Sequence, residues 1–268
     1  MYYNPITSPL YLSEFPVLES EKYILRLART QEELESIFRL RFQVFNQELG
    51  LGFSSSNFAG MDRDKFDDVC DHLLLIAKNT GETIGTYRMQ TYTMAAKGLG
   101  FDSADIFNLS KIPDFVLQSS VEIGRACIAK EYRNSYTLLL LWQGLANYLI
   151  WSGKQYFFGC ASLLTQCSQQ AACAYNYFQH NNWIHPSILV APNLEYSIEI
   201  QQDCPDIYNV EIPKILQAYL SVGAKICSLP AIDRQFKTID FLIISNIADF
   251  ARCCYSTGQN SGVMNEEV

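Results

Sequence analysis

Val121-Glu122-Ile123-Gly124-Arg125-Ala126-Cys127-Ile128 is the stretch on which the reading of this chain turns. Val121, Ile123 and Ile128 mark a strand, yet Glu122 and Arg125 interrupt its apolar run with opposite charges three residues apart. Side chains alternate faces along a strand, so regular pairing sends these two charges to opposite sides. Gly124 lies between them, and a bulge there re-aims one of the pair. Charges on a buried or half-buried strand carry a large desolvation cost unless they are paired or used. The octapeptide alone is equally an edge strand with a solvated ion pair. Further charges on similarly apolar elements tip the balance, and the strand reads as the wall of an active site.

Upstream, residues 70–77 and 83–89 read as two strands joined by the turn Asn79-Thr80-Gly81, with Gly81 supplying the positive φ of a hairpin. Arg88 ends the second strand, a charge where the pattern is otherwise closed. Before the hairpin stands Asp62-Arg63-Asp64-Lys65-Phe66-Asp67-Asp68, which on its own is an ordinary solvated turn. Residues 49–61 are loop-like. Residues 23–28 alternate as a first strand, and Thr30 follows as an N-cap, with Glu32 and Glu33 where the helix dipole favours acids. Leu34, Ile37, Phe38, Arg41 and Phe45 then recur at helical spacing over residues 31–47. Arg41 lies on or beside that apolar stripe, an expensive place for a guanidinium without an anionic partner.

Downstream, residues 137–148 form a helix apolar nearly all round, which has to be buried against a sheet. A strand at 156–162 and a helix over 166–179 follow, then a strand-like 188–190, a linker over 196–206, a helix over 212–222 that Gly223 caps, and a final strand at 241–244. Residues 90–118 read as irregular, with a short helix near 102–108. Strands alternate with helices but a hairpin is present, so the fold class is α/β (α+β), with a central mixed sheet flanked by helices. The domain reading is an arm over 1–20, one domain over 21–254, and a frayed polar tail over 255–268.

Composition excludes several classes. The net charge of -8 leaves nothing to neutralise phosphates at scale, so no nucleic-acid partner is expected. The nine cysteines are scattered, form no CxxC pair, and find no zinc spacing with His72, His180 and His185, so no metal is expected. They read as reduced, buried thiols of a cytoplasmic protein. The opening MYYNPITSPLYLSEFP is not a signal peptide. No apolar run reaches the ~20 residues of a membrane span, which leaves only peripheral contact with the inner membrane open.

Taken in order, the Arg41 helix, the acidic cluster, the hairpin ending in Arg88, the Glu122-x-x-Arg125 strand and the apolar helix resemble the GNAT acyltransferase superfamily. Within it they resemble the branch that draws on acyl carrier protein. Acyl-homoserine-lactone synthases are similar in the front half, through Arg41-Phe42-Gln43-Val44-Phe45, the cluster from Asp62 to Asp67, Arg88, Glu122 and Arg125. Ornithine-lipid N-acyltransferases and related N-acyl amino acid synthases resemble more of the chain, from about residue 23 to 250. Their likeness runs through Cys70-Asp71-His72-Leu73-Leu74, Gly85-Thr86-Tyr87-Arg88, Glu122-Ile123-Gly124-Arg125 and Leu141-Trp142-Gln143-Gly144-Leu145. It continues in Phe158-Gly159-Cys160-Ala161-Ser162 and Tyr219-Leu220-x-x-Gly223-Ala224-Lys225-Ile226-Cys227. CoA-using relatives place a Gly-rich turn before the helix, where backbone N–H groups grip the pyrophosphate. Here the corresponding turn, Tyr132-Arg133-Asn134-Ser135-Tyr136, has no glycine. Acyl carrier protein, whose phosphopantetheine thioester brings no pyrophosphate, is therefore the expected donor, with a CoA thioester as the alternative.

The resemblance implies aminolysis: the α-amine of an amino acid acceptor attacks a fatty acyl thioester and forms an amide. Glu122 is the first candidate for the base; alternatively it only anchors the ammonium and Arg125 while water or substrate moves the proton. Arg125, Asp67 and His72 join it as catalytic candidates, with a structural His72 as the competing reading. Arg41, Arg88 and Arg125 bind the acceptor carboxylate or order the acidic loop. Asp62, Asp64 and Asp67 pair with them and shape the acceptor pocket, and Phe45 belongs to the same substrate-binding set. Backbone donors near Cys127 and Cys160 are expected to meet the oxyanion. An acyl-enzyme on Cys160 is disfavoured, because direct transfer needs none. Cys70, Cys127, Cys167 and Cys173 read as core. Trp142, Trp151, Phe157, Phe158 and Trp183 are available to line an acyl tunnel, and Lys130, Arg133 and Lys154 to meet an acidic carrier. The rival readings are a lactone signal synthase, a small-acyl CoA-dependent acetyltransferase, and a non-catalytic lipid-binding domain.

Overall fold

The computed structural model describes residues 14–52, 59–199 and 211–248. Among them, nine strands form one mixed sheet. Strands β1 (Leu18–Glu19), β2 (Tyr23–Leu27), β3 (Asp71–Ala77), β4 (Thr83–Thr91) and β5 (Ser120–Ile128) pair antiparallel in chain order. β6 (Tyr156–Leu163) joins β5 in parallel, and β9 (Thr238–Asn246) lies antiparallel on the other edge of β6. The short β7 (Lys225–Ile226) and β8 (Ala231–Asp233) both pair with β9. The hairpin between β3 and β4 turns through Gly81 at φ 74, as its sequence implied.

Helices cover both faces. Thr30 and Glu33 form a capping box at the start of α1 (Gln31–Arg41), and Asn134 caps α5 (Ser135–Ser152) through its side-chain oxygen. α5 crosses β2–β5, with Gly144 packed against Leu25 and Leu73. Phe38 of α1 packs with Leu74, the strand neighbour of Leu73, and successive strand residues face opposite ways. α1 and α5 therefore sit on opposite faces. α2 (Tyr92–Lys97), α3 (Ser103–Ile106) and α4 (Asp114–Gln118) fill the connection from β4 to β5, where the sequence read as mostly irregular. α6 (Ser168–His180) and α7 (Lys214–Ser221) complete the larger core with α5. Phe101, Phe107, Phe158, Leu242 and Ile244 make a smaller core on the face of α2–α4.

Four expectations are corrected. The helix over 31–47 is α-helical only to Arg41. From Phe42 to Glu48 it widens into a π-helix, closed where Leu49 N–H donates to Val44 C=O at 3.1 Å. Residues 188–190 form no strand, because Val190 meets Ser228 in a single isolated bridge. The arm is part of the sheet from Leu18, and Phe15 is already buried against Tyr148 and Trp151. Residues 1–13 and the tail at 255–268 lie outside the described residues. Finally, Cys167 is free but exposed and Cys173 is disulfide-bonded, so neither is a reduced core thiol; Cys70, Cys127, Cys160 and Cys227 are also free. No helix among the described residues is long and apolar enough to cross a membrane.

Candidate active site

Two irregularities of β5 build the site. The first is a fork. β5 and β6 pair only at Ser120–Tyr156, Val121–Phe157 and Glu122–Phe158, although β5 runs on to Ile128 and β6 to Leu163. Beyond Glu122 the two strands part while each keeps its outer neighbour, β4 for one and β9 for the other. Backbone groups facing the gap are left without a ladder partner, and such groups need one. At the apex the strands remain so close that a Cβ on Gly159 would lie 2.1 Å from the Ile123 carbonyl oxygen.

The second is a bulge. Thr86 pairs with Cys127 and Arg88 with Gly124, so Tyr87 faces two residues, Arg125 and Ala126. The expected bulge is therefore present one residue later than Gly124. Arg125 itself takes the left-handed conformation, φ 50, which is uncommon for a residue with a side chain. Its guanidinium is held by Asp64 at 2.9 Å and lies 4.3 Å from the centre of the Phe236 ring. Phe45, on the π-helix, packs edge-on against that ring at 6.1 Å.

The bulge brings Arg125 into a charged layer shared with Glu122 and Arg88. Arg41 is wholly enclosed; its Nε donates to Asp62 Oδ1 at 2.9 Å and its Nη1 to Asp67 Oδ1 at 2.7 Å. Arg88 donates to Asp64 at 2.7 and 2.8 Å, to Asp67 at 3.1 Å and to Asp102 at 2.6 Å. Burial pushes the Asp64 and Asp67 carboxyls up, but the arginines beside them outweigh it and hold both below the usual range. The acidic segment is thus not a solvated turn.

Glu122 is 7% exposed and stands apart electrostatically. Its two oxygens accept from Asp102 N–H at 2.8 Å and Ser103 N–H at 2.7 Å, at the start of α3. Burial, reinforced by the Asp102 carboxylate, raises it to about 7 in spite of those two bonds. Each carboxylate oxygen has two acceptor sites, so one on each remains. A carboxyl near 7 where the two strands part can take a proton from an amine and give it back.

Other expected site residues are placed differently. Arg41 and Asp62 are fully buried on each other, which gives a substrate no access to them. His72 is 2% exposed; its Nε2 meets the Asp67 carbonyl oxygen at 3.1 Å, and burial lowers its pKa, so it sits neutral against the network. Burial pushes the Cys127 thiol up to about 12 and the Cys160 thiol well above its ordinary range, and neither is a ready thiolate. Trp142 stacks on Tyr219 at 5.6 Å and Phe158 meets Phe101 edge-on at 4.9 Å, as closed core. Arg133 is clamped by Glu48 at 2.5 and 2.7 Å and Lys154 donates to the Gln118 carbonyl, so neither is a free basic patch. Asp102, Ser103, Phe236 and Asp240 are the members of this region that sequence reasoning missed. No His, Cys, Asp or Glu group among the described residues has a metal-binding arrangement.

Comparison with known proteins follows the same lines. A family described as "Acetyltransferase (GNAT) domain" matches residues 40–143, from the end of α1 into α5. An L-ornithine N(alpha)-acyltransferase from Brucella abortus is 30% identical over 238 residues, covering 82% of this chain and 83% of that one. The protein of the same name from Rhizobium meliloti is 29% identical over 234 residues, covering 82% and 78%. In fold the chain is similar to the AHL synthase LasI, with a TM-score of 0.51 at 12% identity over 92% of this chain and 98% of that one. It is similar also to FeeM, an N-acyl amino acid synthase from uncultured soil microbes, at 0.50 and 9% over 85% and 92%. With a GNAT domain across the charged layer and likeness along more than four-fifths of its length, the chain belongs to the L-ornithine N(alpha)-acyltransferase family of GNAT-fold N-acyltransferases.

Proposed function

We propose that the protein transfers a fatty acyl group from the phosphopantetheine thioester of acyl carrier protein to the α-amine of ornithine or a similar amino acid. The product is an N-acyl amino acid, a lyso-ornithine lipid when ornithine is the acceptor. The observation that carries this reading is Glu122: a buried carboxyl raised to about 7, placed where β5 and β6 part. In it, Glu122 accepts a proton from the acceptor ammonium. The free amine attacks the thioester carbonyl carbon, and unpaired backbone N–H groups in the fork meet the oxyanion. The attached nitrogen loses a second proton to solvent as the C–S bond breaks, and the proton held by Glu122 passes to the departing thiolate of the carrier. Arg125 is the arginine best placed to receive the acceptor carboxylate, because it is less enclosed than Arg41 or Arg88 and lies at the fork. Asp62, Asp64 and Asp67 act by holding the arginines. Carrier protein, rather than CoA, is favoured by the glycine-free turn ahead of α5.

The test is mass spectrometry of lipids and medium from a bacterial host overexpressing the chain, beside the same host with Glu122→Gln. A new N-acyl amino acid, absent with the variant, is expected, and its mass identifies the acceptor. A new acyl lactone would move the protein to the signal synthases, and no product in a host with its own carrier protein would overturn the reading.

A further inference from the structure

Asp240 lies inside the apolar run of β9 and is 3% exposed. Its Oδ1 is buried without a hydrogen-bond partner, and Asp240 forms no ion pair among the described residues. It stands opposite Ser162 of β6. By strand alternation Ser162 shares a face with Cys160 and Phe158, and Phe158 is the partner of Glu122. Asp240 is thus on the Glu122 face of the sheet, four β6 residues beyond the fork's apex, or roughly 13 Å at about 3.3 Å per residue. The Cys160 thiol between them feels Asp240, Glu122, Asp102 and Asp233 together, which marks this floor as acidic. Asp64, Asp67 and Asp102 each have an arginine in ion-pair contact; among the described residues Asp240 has none, and Arg125 acts on it only from farther off. Burial pushes its carboxyl up to about 6, against the Ser162 and Thr238 hydroxyls and the charge of Arg125 from beyond ion-pair distance, so near neutral pH it is a buried anion with no counter-charge in contact. A buried anion of this kind is costly to keep and is the complement of a cationic group arriving from outside.

We infer that Asp240 is a specificity residue that receives the side-chain ammonium of a diamino acid acceptor, while Glu122 meets its α-amine. The inference rests on the acyltransfer reading above and adds the residue that distinguishes a diamino acid from an uncharged one of the same length. Such an acceptor, extended along β6 from Glu122, has its two nitrogens between two carboxylates, and its charge supplies the ion pair that Asp240 lacks.

The experiment uses the purified full chain with an acyl carrier protein thioester. Rates are measured with L-ornithine, with L-norvaline, which lacks the terminal amine, and with 2,4-diaminobutyrate, shorter by one methylene. The wild type is expected to prefer ornithine over norvaline, and Asp240→Asn to lower that preference by roughly 10- to 100-fold, the worth of a charged hydrogen bond. Asp240→Glu retains the charge and advances it by one methylene, so its preference is expected to move from ornithine toward 2,4-diaminobutyrate. That second variant decides the matter should Asp240→Asn fail to fold. Undiminished ornithine preference in Asp240→Asn, or no movement in Asp240→Glu, overturns the role of Asp240 alone. A wild type that acylates none of the three overturns the acyltransfer reading, and this inference with it.

Discussion

Glu122→Gln replaces a carboxyl that burial holds near 7 with a neutral group of the same shape. In the unfolded chain the carboxyl returns to about 4.5. The folded state keeps its proton to the higher pH, so the stability this carboxyl contributes is complete below about pH 4.5 and is lost as pH rises through about 7. At about 1.4 kcal/mol per pH unit, the interval between those values is worth roughly 3 kcal/mol. The wild type therefore loses up to that much relative to the variant across the window, and nothing further above it. Glutamine meets the Asp102 and Ser103 amides less well, because its nitrogen cannot accept, but that penalty is the same at every pH and leaves the slope untouched. Urea denaturation of both proteins from pH 4.5 to 8 measures the difference. A stability difference that does not change across this range refutes the raised carboxyl and with it the reasoning about the base. In the rate, wild-type aminolysis is expected to fall about tenfold per pH unit below about 7, while the variant is slower by roughly 10²-fold or more and lacks that limb.

Three further outcomes test the arrangement. Arg41→Ala leaves Asp62 without its arginine and Asp67 with Arg88 alone, and is expected to cost about 3–5 kcal/mol in urea melts. Gly159→Ala drives a methyl into the Ile123 carbonyl at the fork's apex; a loss of about 1–3 kcal/mol or more, read by thermal unfolding, is expected. Cys160→Ala is expected to retain acyl transfer, with no acyl adduct on the wild type by intact-mass measurement during turnover, because burial keeps this thiol protonated.

Much of this was legible in the residues. Arg41 on an apolar stripe demanded an anion, and the acids that answer it stand within 26 positions. Which acid serves which arginine was not legible, because spacing along a loop does not reveal its path through space. Gly124 was the natural place for a bulge, since glycine tolerates positive φ, yet Arg125 adopts it. Its bond to Asp64 and its seat on Phe236 outweigh a local preference of about 1–2 kcal/mol. Within residues 90–118 the short helix expected near 102–108 is α3, whereas α2 and α4, with 6 and 5 residues, were too short to display a period. Asp102 gave no signal of its tie to Glu122, which runs through a backbone N–H, while its carboxylate answers Arg88. Asp240 did have one: a charge inside the run from Ile239 to Ile244 is the same mark that singled out Glu122.

The tie between the acidic segment and the sheet sets a rule for how this chain can change over evolutionary time. A loop docked by greasy contacts can slide and still bury its surface, so residues can be gained or lost within it. This one is fastened at Asp62, Asp64 and Asp67 to arginines from α1, β4 and β5, each demanding an oxygen at a given point. Inserting or deleting one residue between Asp62 and Asp67 would leave at least one enclosed guanidinium facing the wrong side chain. Substitutions at Arg63 or Lys65, whose side chains reach outward, leave the fastening intact. In this segment the count of residues is under stronger constraint than most of their identities.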